Sequence, residues 1–317
     1  MNIALSFNKK YIKYAIVMMT SVCINNTDHI DFYILHSELD GDDYELICNS
    51  IRKYDAQAFL LPVDMKECQE KLPVSDFWSY EIYYRLLLTE LLPQSVDRIL
   101  YLDVDIIVHG SLEELYNVDF EGMGLCVCDD CNGTLRIEDM SDYQQKIFAE
   151  SIENGYRYFN SGVMLLNIIE LKKRISFATY LDAIKELNYE ISAPDQDILN
   201  YVHRGKIKYA DWKKYDLFAR TAYNMGLSYD EMLSENIIIH FAGNKPWDCK
   251  GVHYSFEKIW WDYAKNTDIK ELLMEEFIES AMSEATVENE IKRLQGECGQ
   301  LREALGKAYS LMERICK

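Results

Sequence analysis

Short apolar runs rich in β-branched residues alternate along the chain with longer segments whose apolar positions recur every three or four residues. The runs at 3–7, 31–36, 56–62 and 98–103 read as strands, with amphipathic helices over 10–25 and 44–54. Strands separated by helices predict an α/β fold with an open, mostly parallel sheet. Further apolar runs follow at 122–128, 159–167 and 237–241, with helical stretches over 171–187 and 195–203. The sheet therefore takes up most of residues 1–250, and no repeat of solenoid length interrupts it.

After Lys250 the pattern changes. Helices over 255–265 and 269–283 lead into a stretch where Val287, Ile291, Leu294, Cys298, Leu301, Leu305, Ala308, Met312 and Ile315 follow one another in alternating steps of four and three. That spacing is a heptad seam over 287–315. With Ile291, Cys298, Leu305 and Met312 at a, Glu297 falls at g and Arg302 at the following e, the pairing used between parallel strands. Gly296, Gly299 and Gly306 weaken the helix. Two readings stand: a coiled coil that makes the chain a homodimer, or an amphipathic helix packed on its own domain. The expected division is a sheet-bearing domain at 1–265 and a helical region at 266–317.

The 317 residues are 49% hydrophobic, ample for a sizeable core, and include only 5 Pro and 14 Gly, which argues against long structureless linkers. Acidic side chains outnumber basic ones by 53 to 33, a net charge of −20 that excludes the basic surface nucleic acid demands. Nine cysteines without framework spacing point to a reducing cytosol. Cys126, Cys128 and Cys131 lack a second ligand pair at zinc spacing and read as core or reactive thiols. No stretch approaches the roughly 20 apolar residues of a membrane-spanning helix. Segment 14–24, after Lys9, Lys10 and Lys13, imitates a signal peptide but reads as the helix covering the first strand. The expected location is the cytoplasm, free or peripheral to the inner face of the membrane.

The chemistry concentrates at strand ends. The run Arg98-Ile-Leu-Tyr-Leu-Asp103-Val-Asp105-Ile-Ile-Val reads as a buried parallel strand that ends in two carboxylates, Asp103 and Asp105, which extended geometry points to one side. Like charges this close call for a cation, and an oxygen-rich pair suits Mg²⁺ or Mn²⁺ rather than zinc. His240-Phe-Ala-Gly243-Asn-Lys245-Pro-Trp247 adds an imidazole, which favours Mn²⁺, a glycine for close backbone approach and a lysine suited to phosphate. Phe159-Asn160-Ser161-Gly162 brings an amide and a hydroxyl to a strand entry. Asp195-Gln196-Asp197 opens a helix, where Asp195 is an N-cap or a ligand contact.

Together these motifs resemble the family 8 retaining glycosyltransferases, which include bacterial lipopolysaccharide galactosyl- and glucosyltransferases and glycogenin. The resemblance covers roughly residues 2–262. It rests on Asn8 and Tyr11 after the first strand, Tyr84-Arg85-Leu86, Leu102-Asp103-Val104-Asp105, Phe159-Asn160-Ser161-Gly162-Val163, Asp195-Gln196-Asp197-Ile198-Leu199-Asn200 and the His240 segment. It implies a GT-A fold, a Rossmann-like mixed sheet flanked by helices, and a UDP-hexose donor, UDP-glucose or UDP-galactose, bound with Mn²⁺. By the same resemblance Asp103, Asp105 and His240 hold the metal, with Asp103 also near the ribose. Leu5, Asn8, Tyr11 and Val104 join the donor-binding residues, and Gly243 and Lys245 meet the diphosphate. Arg85, Asn160, Asp195 and Gln196 surround the donor sugar, Asp195 and Gln196 being the catalytic candidates, and Asp129 is a looser match there. Some members carry an aspartate in place of Asn8, and the tail after about residue 265 has no counterpart.

The expected reaction is transfer of the hexose, with retention, to a saccharide, lipid-linked or protein acceptor. Two other readings are weighed against it. A haloacid-dehalogenase-type phosphatase would also use Asp103 and Asp105, and Asp129-Asp130 imitates its later acidic pair, yet Ile106-Ile107-Val108 stands where that scheme wants a small residue. A non-catalytic nucleotide-sugar-binding coiled-coil protein is the other, against which the intact Asp103, Asp105, His240 and Gln196 argue.

Overall fold

The computed structural model describes residues 1–65, 72, 80–130, 135–188, 193–249 and 253–315. Ten strands run through it: β1 (Asn2–Ser6), β2 (Ile30–His36), β3 (Ala56–Pro62), β4 (Arg98–Leu102), β5 (Ile106–Val108), β6 (Leu125–Asp129), β7 (Phe159–Asn167), β8 (Ile207–Tyr209), β9 (Leu217–Phe218) and β10 (Ile238–His240). Seven form one sheet in the order β3-β2-β1-β4-β7-β6-β8, in which only β7 is antiparallel to its neighbours. The strand order reverses between β1 and β4. In open α/β sheets the crevice outside the carboxyl ends at such a point receives the ligand.

Alternation along each strand feeds two cores. Ile3 and Leu5 of β1 face the layer built on α1 (Ile12–Asn25), while Ala4 joins the opposite layer with Tyr101, Met164 and Tyr83. The central strands are apolar throughout because both faces are covered. Helix α2 (Gly41–Ile51) starts at Asp40, whose carboxylate accepts from the amides of Asp42 and Asp43. Helix α3 (Asp142–Glu153) is capped by Ser141, and α4 (Phe177–Glu186) and α5 (Pro194–His203) cover the β7 side, α5 with Pro194 in its first turn.

A second, small sheet orders β5-β10-β9. Its register sets His240 opposite Ile106 on one side and Phe218 on the other, so Asp105, just before antiparallel β5, lies at the end of β10 that carries His240, while Asp216, just before parallel β9, reaches the imidazole through its side chain. Helix α6 (Lys258–Ala264) packs on α1 through Trp260, and Ile269 and Leu273 extend the same core into α7 (Lys270–Met282). Helix α8 (Glu284–Ile315) follows. Among the described residues no helix is long and apolar enough to cross a membrane.

Candidate donor and metal site

The chain does not stay extended through Asp103-Val104-Asp105. Strand β4 stops at Leu102 and a turn carries the chain into β5 and the second sheet. Carboxylate alternation in a strand is therefore not what brings the aspartates together. The turn does so, with Val104 buried between them and the Asp103 amide donating to the Gly162 carbonyl at 2.9 Å.

Ligand atoms of Asp103, Asp105 and His240 all lie within 4.8 Å of one another. His240 is buried, with Nε2 3.3 Å from Asp105 and Nδ1 2.8 Å from Asp216. The Asp216 contact fixes the ring so that Nε2 points at the carboxylates, as the outer partner of a metal-ligating histidine does. Burial opposes charge on the imidazole, but the flanking Asp105 and Asp216 raise its pKa to about 10. Burial raises Asp216 to about 6. Burial likewise penalises the Asp105 anion, yet Lys245 and His240 hold its pKa well below the usual carboxylate range. The Lys245 ammonium bonds Asp105 and donates to the Phe241 carbonyl at 3.1 Å. It supplies the positive charge the carboxylates require. Two carboxylates and an imidazole this close make a donor set that fits a divalent cation.

A second group faces this cluster from β7 and α5. Arg85 lies in a 3-10 segment, Tyr80–Leu87, with its guanidinium buried against the Tyr101 ring at 4.4 Å. It donates to Asp103 at 2.8 Å and to the Ser161 carbonyl at 2.8 Å, and pairs with Asp195 at 3.2 Å. Tyr101 donates to the same Asp103 oxygen at 3.1 Å. Asp195 also accepts from the Ser161 hydroxyl at 3.1 Å, and burial raises its pKa against the pull of Arg85. The Gln196 carbonyl accepts from the Ser161 amide at 3.0 Å and the Asn160 amide at 3.1 Å, while its amino group donates to Asp130 at 3.2 Å.

The remaining expected residues lie around these groups. Leu5 is buried in β1, and the Asn8 side chain caps the Lys9–Tyr11 turn through the Lys10 amide at 3.1 Å. Tyr11 is exposed with its edge against Tyr14, and Gly243 adopts φ +103°, a conformation that favours glycine. Asp129 is paired with Arg157 at 2.9 Å, and its neighbour Asp130 is the one that meets Asn160 and Gln196. A register shift between Val127 and Asp129 precedes both and interrupts the regular alternation of faces there. Cys126 and Cys128 are buried in the core, which pushes the Cys126 thiol up to about 11 and the Cys128 thiol well above its ordinary value, while Cys131 lies outside the described residues. Sequence reasoning missed Asp216 and Tyr101. The available signal was a lone carboxylate inside Tyr215-Asp216-Leu217-Phe218 and a lone hydroxyl inside an apolar run.

Comparison with known proteins agrees with this geometry. The family model described as glycosyl transferase family 8 matches residues 2–251. A lipopolysaccharide 1,2-glucosyltransferase of Escherichia coli is 32% identical over 266 residues, covering 78% of this chain and 73% of that protein. A lipopolysaccharide 1,3-galactosyltransferase of Salmonella typhimurium is 25% identical over 257 residues, covering 80% and 74%. Among solved structures, the galactosyltransferase LgtC in complex with donor and acceptor sugar analogues superposes with a TM-score of 0.70 at 23% identity, covering 84% of this chain and 96% of that chain. That likeness identifies the fold as the one the resemblance implied.

Proposed function

The chain belongs to glycosyl transferase family 8, and from that premise we propose that it transfers glucose or galactose, with retention, from a UDP-sugar to a saccharide, lipid-linked or protein acceptor. The observation that carries the reading is the convergence of Asp103, Asp105 and His240 beside Lys245 at the switch point, facing Asp195 and Gln196. Asp103, Asp105 and His240 would hold Mn²⁺, which when bound supplies Lewis-acid stabilisation of a departing diphosphate. Lys245 adds a fixed positive charge to the same oxygens. Leu5, Asn8, Tyr11 and Val104 are proposed to receive the nucleotide, and Gly243 allows the backbone to approach the phosphates.

Gln196 and Asp195 are the groups proposed to face the anomeric carbon, where positive charge develops. The Gln196 carbonyl already accepts two hydrogen bonds, and Asp195 is buried against Arg85 and Ser161. Groups so occupied suit electrostatic support better than nucleophilic attack. We therefore favour front-face displacement: the bond from C1 to the diphosphate oxygen breaks, the bond from C1 to the acceptor oxygen forms on the same face, and the acceptor proton passes to the leaving phosphate. The free thiols Cys23, Cys126 and Cys128 favour a cytoplasmic setting, with a peripheral position at the inner membrane face suiting a lipid-linked acceptor. The phosphatase alternative gains nothing, since Asp103 is tied by Arg85 and Tyr101 where a free nucleophile is needed.

The test is release of UDP from UDP-glucose and UDP-galactose, with and without Mn²⁺, by the wild type and by Asp103→Ala and Asp105→Ala. We expect turnover with one donor and a loss of about 100-fold or more in each variant. Undiminished, metal-independent turnover in either variant refutes the assignment.

A further inference from the structure

From residue 291 to residue 308 every side chain of α8 except Arg293 is exposed, although the helix carries an apolar stripe along that length. Ile291 is 50% exposed, Leu301 70% and Leu305 56%. Helix α8 spans 32 residues, about 48 Å; it packs on α7, and Thr286 near its start is buried. An apolar stripe of this length left in water marks a contact surface. We propose that this stripe pairs with the same stripe of a second copy, forming a parallel, in-register two-stranded coiled coil that joins two catalytic domains.

Three features select this partner. The glycines Gly296, Gly299 and Gly306 fall at f, b and b, away from the seam, so they leave the a and d layers unbroken while weakening an unpaired helix. Glu297 at g faces Arg302 at e of the other strand only when the copies are parallel and in register. The segment 284–315 holds six acidic and five basic residues, and 270–282 holds four acidic and one basic; Lys292, Arg293 and Lys307 are paired along the helix with Glu288, Glu290 and Glu303, so this end of the molecule offers no net positive charge to anionic lipid. Cys298 at an a position gives a direct geometric readout. In a parallel, in-register pair the two thiols face each other within reach of a disulfide, whereas in an antiparallel pair each faces a d residue of the partner.

The test uses the full chain. Light scattering after gel filtration at micromolar concentration is expected to give twice the 37.2 kDa chain mass, falling to one chain in the Leu294→Asp/Leu301→Asp variant. Both positions are exposed and away from the donor site, so the variant should keep the wild-type melting midpoint and UDP-sugar hydrolysis. Diamide, which takes the hydrogens of two thiols as they join, should link the wild-type copies and leave Cys298→Ser unlinked. A single-chain mass for the wild type overturns the proposal, as does a dimer that the seam substitutions leave intact. A seam-dependent dimer whose Cys298 does not crosslink overturns the parallel register. Flotation of single chains with phosphatidylglycerol vesicles would assign the stripe to membrane instead.

Discussion

Gly162 is the position where one added carbon does the most damage. It lies in β7 between the carboxylate cluster and the Gln196 network, with its carbonyl accepting from Asp103 and its amide donating to Asn160 at 2.8 Å. A methyl group there would sit 2.6 Å from the His240 ring, 2.8 Å from Asp103 and 2.9 Å from Asn160. Reaching an ordinary carbon contact of about 3.5 Å requires His240 to move by about 0.9 Å. The ring has little room to retreat, because Asp216 and the Phe218 ring hold it from behind, and Asp103 is held by Arg85 and Tyr101. Overpacking of this kind costs about 1–3 kcal/mol, enough to lower the melting midpoint by a few degrees without unfolding the protein. Displacement of His240 by this distance, and of Asp103 by somewhat less, moves two of the three proposed ligands and should weaken Mn²⁺ binding and reduce turnover by about 100-fold. Gly162→Ala is to be measured by calorimetric Mn²⁺ titration, UDP release and thermal melting. Gly124→Ala is the comparison, since its methyl meets the end of the Leu171 side chain at 2.7 Å and leaves the site alone. Wild-type Mn²⁺ affinity and turnover in Gly162→Ala would refute the reasoning.

Three further outcomes follow from the same contacts. Arg85→Lys replaces a fork that reaches Asp103, Asp195 and Ser161 with a single ammonium, and should cost about 3 kcal/mol in urea-denaturation stability while raising the donor KM; unchanged stability would remove the bridging role. Asp216→Asn should lower Mn²⁺ affinity about 10–100-fold by electron paramagnetic resonance titration, because an amide no longer enforces the Nδ1–H form of His240, and full affinity would show the contact to be passive. His203 is buried beside the Tyr180 hydroxyl, and burial lowers its pKa to about 4. The unfolded chain takes up this proton near pH 6.5 and the folded one resists until about pH 4, so stability is full above about 6.5 and falls through that window, by about 2 kcal/mol at pH 5. His203→Gln should flatten the slope in denaturation at pH 7 and pH 5, and a slope equal to wild type would contradict it.

Much of this site was legible in the sequence because its residues sit at the ends of runs with clear periodicity. Ala56–Pro62 and Phe159–Asn167 are observed with the expected bounds, and the apolar runs before Asp103 and His240 mark both as strand ends. What escaped depends on backbone events without a periodic signal. Strand β9 has two residues and β8 three, too short to register as a pattern, so Asp216 went unseen although it holds the imidazole. The register shift after Val127 breaks the parity by which sequence assigns faces, so Asp129 and Asp130 could not be told apart before the ladder was known. The turn at Asp103-Val104-Asp105 shows that the right residues can be read for an incomplete reason. Two carboxylates in one extended strand would share a single sheet, whereas here they stand on either side of a passage between two sheets. That placement lets Asp103 be gripped by Tyr101 of the first sheet and by Arg85 of the 3-10 segment, while Asp105 is gripped by His240 of the second sheet and by Lys245 from the loop after it. Each carboxylate is thereby oriented by a different set of groups, so a substitution in either set should be felt at the proposed metal position.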